Sequence, residues 1–108
     1  MNTIAILNDE LRRALVTSIH AKVVMTQGVA GLPERDLAQL LERVRSFDAF
    51  TPDNDPHGEH DFGSFEIDGF KFFWKIDCYD AKMEFGSEDP ADPSKTTRVL
   101  TIMLASEY

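Results

Sequence analysis

The stretch FGSFEIDGFKFFWKIDCYD, residues 62–80, decides the fold. Asp68-Gly69 lies inside it, and this dipeptide is favoured in two-residue type I′ hairpin turns because both positions need positive φ. On either side of the turn the side chains alternate with period two, as they do in a strand whose two faces differ. The stretch therefore predicts an antiparallel hairpin with one face in the core. The residues expected on that face after the turn are Phe70, Phe72, Trp74, Ile76 and Cys78.

Two amphipathic segments precede the hairpin. In residues 3–16 apolar side chains recur at helical spacing, and Thr3 or Asn2 can cap the predicted helix. A second helix is predicted after Pro33, a residue suited to a first helical position, and its apolar stripe ends at Phe47. The rest of that stripe consists of Leu37, Leu40, Leu41 and Val44.

Two further segments predict strands. AKVVMT, residues 21–26, is short and β-branched, and Gly28 and Gly31 mark a turn after it. RVLTIMLASEY, residues 98–108, is apolar on both faces, which favours a central strand, with a short buried helix as the alternative. The order α-β-α-β-β-β predicts an α+β fold, with two helices packed on one face of a small, mainly antiparallel sheet of three to five strands.

Length and composition indicate one domain spanning residues 1–108. The chain has 43% hydrophobic residues, enough for a core at this size. A single cysteine, Cys78, excludes an internal disulfide and fits a reducing compartment, where it is expected to behave as a small buried hydrophobe. No signal peptide or membrane span is visible, so a cytoplasmic protein is predicted.

Negative charge is concentrated in the second half of the chain. Residues 1–47 carry five acidic and six basic side chains, whereas residues 48–108 carry fourteen acidic and five basic ones. Direct nucleic-acid binding is disfavoured, because a phosphate-binding surface needs clustered Lys and Arg. An acidic half instead suits a protein partner with a basic surface, although an acidic surface also serves solubility alone.

The loop TPDNDPHGEHDFG, residues 51–63, holds the densest set of candidate ligands and acid/base groups. An EF-hand calcium site aligned from Asp53 fails, because Ser64 stands where the bidentate Glu is required. A divalent transition metal remains an alternative, since the loop mixes imidazole with carboxylate. Its ligands would be His57, Glu59, His60 and Asp61.

Acid/base catalysis is a second reading of the same loop. His57 or His60 would act as the acid/base group, oriented by Asp55, Glu59 or Asp61, but no nucleophile stands beside them in the sequence. A purely structural reading also stands, because Asp, Asn, Pro and Gly are turn formers whose side chains satisfy backbone amides. In that reading His60 and Asp61 attach the loop to the sheet.

A second acidic loop lies within residues 86–97. It is interpreted either as a rigid turn with a structural role or as a negatively charged contact surface. It is expected to adjoin the first loop. The partner-binding residues predicted from the two loops together are Asp53, Asp55, Glu59, Asp61, Glu88, Asp89 and Asp92.

Four separated stretches, DNDPHGEHDFG, FWKID, GSEDPADP and RVLTIMLASEY, together resemble the domain-of-unknown-function family 3768. The resemblance runs from about Asn8 to Tyr108. It implies a small protein encoded mainly by alphaproteobacteria, often on plasmids and other mobile elements. It implies no activity, cofactor or catalytic residue.

Three hypotheses about function follow. The first is a non-enzymatic, protein-binding accessory factor of mobile elements, which would block CRISPR or restriction machinery by occupying a basic surface, with no cofactor. The second is a small metal-dependent or His-based hydrolase that uses the loop at residues 53–61. The third is a homodimer module that self-associates through a sheet edge or an aromatic face containing Phe73 and Tyr79.

Overall fold

A four-stranded sheet with helices on one face forms the architecture of residues 2–108, the part of the chain that the computed structural model describes. The helices are α1 (Thr3–Ala14), α2 (Gln27–Ala30) and α3 (Glu34–Arg45). The strands are β1 (Ala21–Met25), β2 (Phe62–Ile67), β3 (Phe70–Tyr79) and β4 (Thr97–Leu104). Two 3₁₀ turns, Pro93–Lys95 and Ala105–Glu107, flank β4. The predicted α+β class is confirmed.

The sheet has the order β1-β4-β3-β2. β2 and β3 form the predicted hairpin, and its turn residues Asp68 and Gly69 have φ values of 51° and 83°, as a type I′ turn requires. β4 pairs antiparallel with β3 and parallel with β1, so the prediction of a central strand is correct. The sheet is therefore mainly antiparallel, with one parallel pair.

All three helices pack on one face of this sheet. Leu11 of α1, Val29 of α2, and Leu40 and Val44 of α3 are buried against Trp74 and its neighbours. The strand residues in this core are Phe65, Phe72, Trp74, Ile76, Leu100 and Ile102. Within residues 2–108 no α-helix packs on the opposite face, which we call the open face, although the 3₁₀ turn Ala105–Glu107 contacts β3 and Tyr108 packs on Phe73 there.

Four local predictions need correction. The first helix ends at Ala14 rather than residue 16, because Leu15 adopts a left-handed cap with φ 50°. Gly28 lies in the one-turn helix α2 rather than in a turn. The last strand ends at Leu104, since the Glu107 carboxylate accepts from the Leu104 amide at 3.0 Å and from the Gly28 amide at 2.9 Å. Phe70, expected in the core, is 65% exposed because it stands beside the hairpin turn.

The buried face of α1 is also rotated from the predicted apolar stripe. Its buried residues are Ala5, Asn8, Asp9, Leu11 and Arg12. Three of these are polar or charged, and a globular interior accepts such groups only when they are hydrogen-bonded or paired. Asn8 and Asp9 find partners in the first acidic loop, whereas Arg12 donates to Asp9 and to the C-terminal end of α3.

Candidate functional site

The first acidic loop is built by its own side chains. Asn54 Oδ1 accepts from the Thr51 amide at 2.8 Å, and Asn54 Nδ2 donates to the Ala49 carbonyl at 3.0 Å. Asp55 Oδ1 accepts from the backbone amide of Glu59 at 3.1 Å and from that of His60 at 3.3 Å. The turn-forming role is therefore real for Asn54 and Asp55.

His60 is turned inward onto α1. Its Nδ1 lies 3.0 and 3.1 Å from the two carboxylate oxygens of Asp9 and donates to them, since a carboxylate only accepts. Its ring stacks on Phe50 with centroids 3.9 Å apart, and its Nε2 is 3.8 Å from Asp55 Oδ2. The residue has φ 54°, which Asp55 helps to hold by accepting its amide. His60 thus attaches the loop to a helix, not to the sheet as expected.

Arg12 occupies the centre of the same cluster. It is 1% exposed, and its Nη2 donates to Asp9 Oδ1 at 3.0 Å. Its Nη1 donates to the carbonyls of Val44 and Arg45, both at 2.9 Å, so the cation stabilises the C-terminal end of α3. The guanidinium carbon lies 5.2 Å from the ring centroid of Trp74. One buried ion pair, Asp9–Arg12, therefore connects α1, α3 and the first loop.

Asn8 and Arg98 connect the two acidic loops to each other. Asn8 Nδ2 donates to the Glu59 carbonyl of the first loop at 3.0 Å. Asn8 Oδ1 accepts from Arg98 Nε at 2.9 Å, and Arg98 Nη2 donates to the Pro90 carbonyl of the second loop. Both side chains are buried, at 1% and 4% exposure. The predicted adjacency of the loops is observed, and it is made inside the protein.

The predicted partner-binding residues divide into an inner and an outer set. Asp55 is buried, so it does not contribute to the acidic surface. Its carboxylate instead accepts a hydrogen bond from a backbone amide of the loop. Glu59 is half-buried. Asp92 is half-buried too, and the hydroxyl and amide of Ser94 donate to it at 2.6 and 2.9 Å, which lowers the pKa of Asp92. The four that stand exposed are Asp53, Asp61, Glu88 and Asp89.

These exposed carboxylates lack compensating cations. Within residues 2–108, none of the four has a Lys, Arg or His nitrogen within the 4.0 Å that defines an ion pair. Partial desolvation of the Asp61 carboxylate raises its pKa, and the neighbouring Asp55 and Asp77 carboxylates add to the rise, while His57 opposes it. The first loop therefore concentrates negative charge at its outer side.

The residues of the metal and hydrolase hypotheses do not converge. His60 points inward to Asp9, whereas His57 is exposed. Over residues 2–108 no group of three or more His, Cys, Asp or Glu side chains is placed to hold a metal ion. No hydroxyl or thiol in that range hydrogen-bonds to His60, so the Asp9–His60 pair has no nucleophile to activate.

Cys78 lies half-buried on the helix-covered face of β3, next to Arg98 on β4. Burial raises the pKa of the thiol more than the neighbouring Arg98 cation lowers it, and the carboxylates of Glu59, Asp61 and Asp77 raise it further. This environment disfavours the thiolate and fits the predicted role of a small apolar side chain.

Sequence reasoning missed Asn8, Asp9, Arg12 and Arg98. A signal for the first three was present, because Ala5, Asn8, Asp9 and Arg12 follow the i, i+3, i+4, i+7 spacing of one helix face. The apolar stripe of the same segment concealed it. Arg98 is the first residue of the apolar strand predicted from the sequence, and nothing there distinguishes it from a solvent-exposed terminal residue.

The comparison with protein-family models matches residues 25–107 to a family described as "Protein of unknown function (DUF3768)". The chain belongs to this family. The matched segment includes both acidic loops and Arg98, while α1 lies before it. No curated protein and no solved structure matches the chain.

None of the helices within residues 2–108 has the length and apolar content needed to cross a membrane.

Proposed function

We propose that this protein is an acidic, non-enzymatic binding factor that occupies the basic surface of a protein partner. The observation that carries the proposal is the pairing of the two acidic loops through Asn8 and Arg98. Because that link is buried, it holds the two loops near each other without neutralising their outer carboxylates. Asp53, Asp61, Glu88 and Asp89 then supply unscreened negative potential to an approaching partner.

In the form that we favour, the factor serves a mobile element by inhibiting a host defence protein such as a CRISPR or restriction component. Proteins of these classes carry basic surfaces for nucleic acid, and a rigid acidic surface competes for them. The plasmid setting implied by the family resemblance supports this form. The function requires neither a metal nor a cofactor.

Charge neutralisation of the outer set tests the binding. In the variant, Asp53, Asp61 and Asp89 become Asn and Glu88 becomes Gln. The matched control neutralises four exposed carboxylates on α3 and β2 instead: Glu34, Asp36, Glu42 and Glu66. In a pull-down from an alphaproteobacterial host lysate at low salt, the natural protein and the control should capture one basic protein, and the loop variant should not. Capture should fall as salt rises, because screening weakens surface electrostatics.

Two outcomes count against the proposal. Recovery of no specific protein at low salt contradicts the binding function, as does equal capture by the loop variant and its control. The anti-defence form is tested separately by plasmid transformation of a host with active CRISPR or restriction systems. Expression of the natural protein should raise the transformation efficiency, and an unchanged efficiency refutes that form.

A homodimer module is the second candidate, favoured by the open face of the sheet. Phe62 and Phe73 pack together there with ring centroids 5.2 Å apart, and Tyr108 packs edge-on against Phe73 while remaining 76% exposed. Helices do not cover these rings within residues 2–108. Light scattering that gives a monomer mass at high protein concentration refutes this candidate.

A further inference from the structure

Two arginines are buried within residues 2–108, and they differ in whether a carboxylate pairs with the charge. Arg12 pairs with the buried carboxylate of Asp9. Arg98, at 4% exposure, has no carboxylate oxygen within 4.0 Å among residues 2–108. Its two acceptors, Asn8 Oδ1 and the Pro90 carbonyl, are neutral. The Glu10 carboxylate acts on the guanidinium from beyond ion-pair distance, but burial has the larger effect and lowers the pKa of Arg98. A buried cation so weakly paired is uncommon, because transfer from water is costly unless the charge is paired.

Arg98 also reaches a cavity. It lines a depression of about 270 Å³ between α1, the segment that joins α1 to β1, and the start of β4. Its hydrogen bonds use Nε and Nη2. Nη1 of Arg98 has no hydrogen-bond partner in residues 2–108. It is accessible to solvent, unlike Arg12 Nε and Trp74 Nε1, which are the buried side-chain nitrogens without a partner in that range. The guanidinium therefore keeps one donor group that is open to solvent, on a residue that lines the depression.

The lining of the depression narrows the ligand class. Most of its wall is aliphatic, and the polar groups beside Arg98 belong to Glu10, Ser18, His20 and Thr96. One guanidinium matches one carboxylate in charge and geometry. A phosphate carries more negative charge than a monocarboxylate, so the Glu10 carboxylate at the same depression repels it more strongly. The aliphatic wall is formed by Leu7, Leu11, Val16, Ala21 and Pro93.

We propose that this depression binds a small aliphatic monocarboxylate, whose carboxylate accepts from Arg98 and whose hydrocarbon part packs against Leu7 and Leu11. The site shares Arg98 with the link between the two acidic loops, because Arg98 also donates to the Pro90 carbonyl and to Asn8. The proposed carboxylate site does not depend on the partner-binding function, and each of the two proposals can be refuted without the other.

The test is an NMR titration of the full chain with 3-methylbutanoate at constant ionic strength. Saturable shifts are expected at the amides around residues 10, 18–21 and 96–98. The neutral analogue 3-methylbutanamide has the same shape without the charge, and it should bind at least about tenfold more weakly, because a charge-assisted hydrogen bond is lost. Arg98→Lys should also weaken binding by about tenfold, since Lys lacks the guanidinium fork.

A second pair of variants keeps the test decisive even if Arg98→Lys fails to fold. Glu10→Gln removes a surface negative charge beside the depression and should tighten 3-methylbutanoate binding by about two- to fivefold. Glu34→Gln makes the same change in net charge on α3 and should leave the affinity unchanged. The proposal is overturned if the amide analogue binds equally well, if Glu10→Gln behaves like Glu34→Gln, or if the shifts lie elsewhere. Tighter binding of inorganic phosphate overturns the monocarboxylate assignment.

Discussion

Asp9→Asn is expected to destabilise the protein far more than its small change in shape suggests. Asp9 and Arg12 are 4% and 1% exposed, so the variant leaves a buried guanidinium without its anion. Breaking one side of a buried ion pair costs about 3–5 kcal/mol in free energy of unfolding. The same substitution weakens the contact with His60 Nδ1, which lies 3.0 Å from Asp9. At about 4 °C per kcal/mol for a domain of this size, the melting temperature should fall by roughly 12 °C or more.

The chain contains a matched control for this prediction. Glu42 and Arg45 have the same i, i+3 spacing, with nitrogen and oxygen 3.7 Å apart, but both side chains are exposed. Glu42→Gln should therefore cost less than about 1 kcal/mol. Burial, not the presence of an ion pair, is the difference between the two sites.

Thermal and urea unfolding of Asp9→Asn, Arg12→Met and the double variant measure the effect. Because both single changes break the same buried pair, the double variant should be more stable than the sum of the two losses predicts, by about 1–3 kcal/mol. If Asp9→Asn costs less than about 1 kcal/mol, or if the two losses add within about 0.5 kcal/mol, the pair does not stabilise the fold as argued.

Three further predictions concern single residues. Gly63→Ala should cost about 1–3 kcal/mol in urea unfolding, because a Cβ there overlaps Trp74 Nε1 and lies 2.8 Å from Phe47 Cζ; an unchanged midpoint would contradict the packing. Asp61→Asn should raise the melting temperature at neutral pH. The folded pKa of Asp61 is above its ordinary value of 3.8, so ionisation costs stability, and the gain should vanish below pH 3.8; a gain that persists there rules out this cause. Cys78 should react with iodoacetamide more slowly than in the denatured chain, because its pKa is raised, and equal rates would show that the thiol is not protected.

Much of the fold is predictable because it depends on local patterns. The hairpin follows from Asp68-Gly69 and the alternation around it, and α3 follows from one apolar stripe at helical spacing. The class and the central position of β4 follow from the same patterns. Helix and strand ends were less predictable, because Glu107 caps the end of β4 from a residue that has no local sign of that role.

The candidate site likewise combines features that depend on local sequence with features that depend on tertiary contacts. The sequence by itself determined the turn chemistry of Asn54 and Asp55 and the excess of negative charge in the second half of the chain, because both depend on residues close together in the sequence. Only the tertiary structure decided that His60 turns inward to Asp9, 51 positions away, and that Asn8 meets Arg98, 90 positions away. Such pairings stabilise buried polar groups only after the chain has folded around them, and no spacing in the sequence encodes that distance.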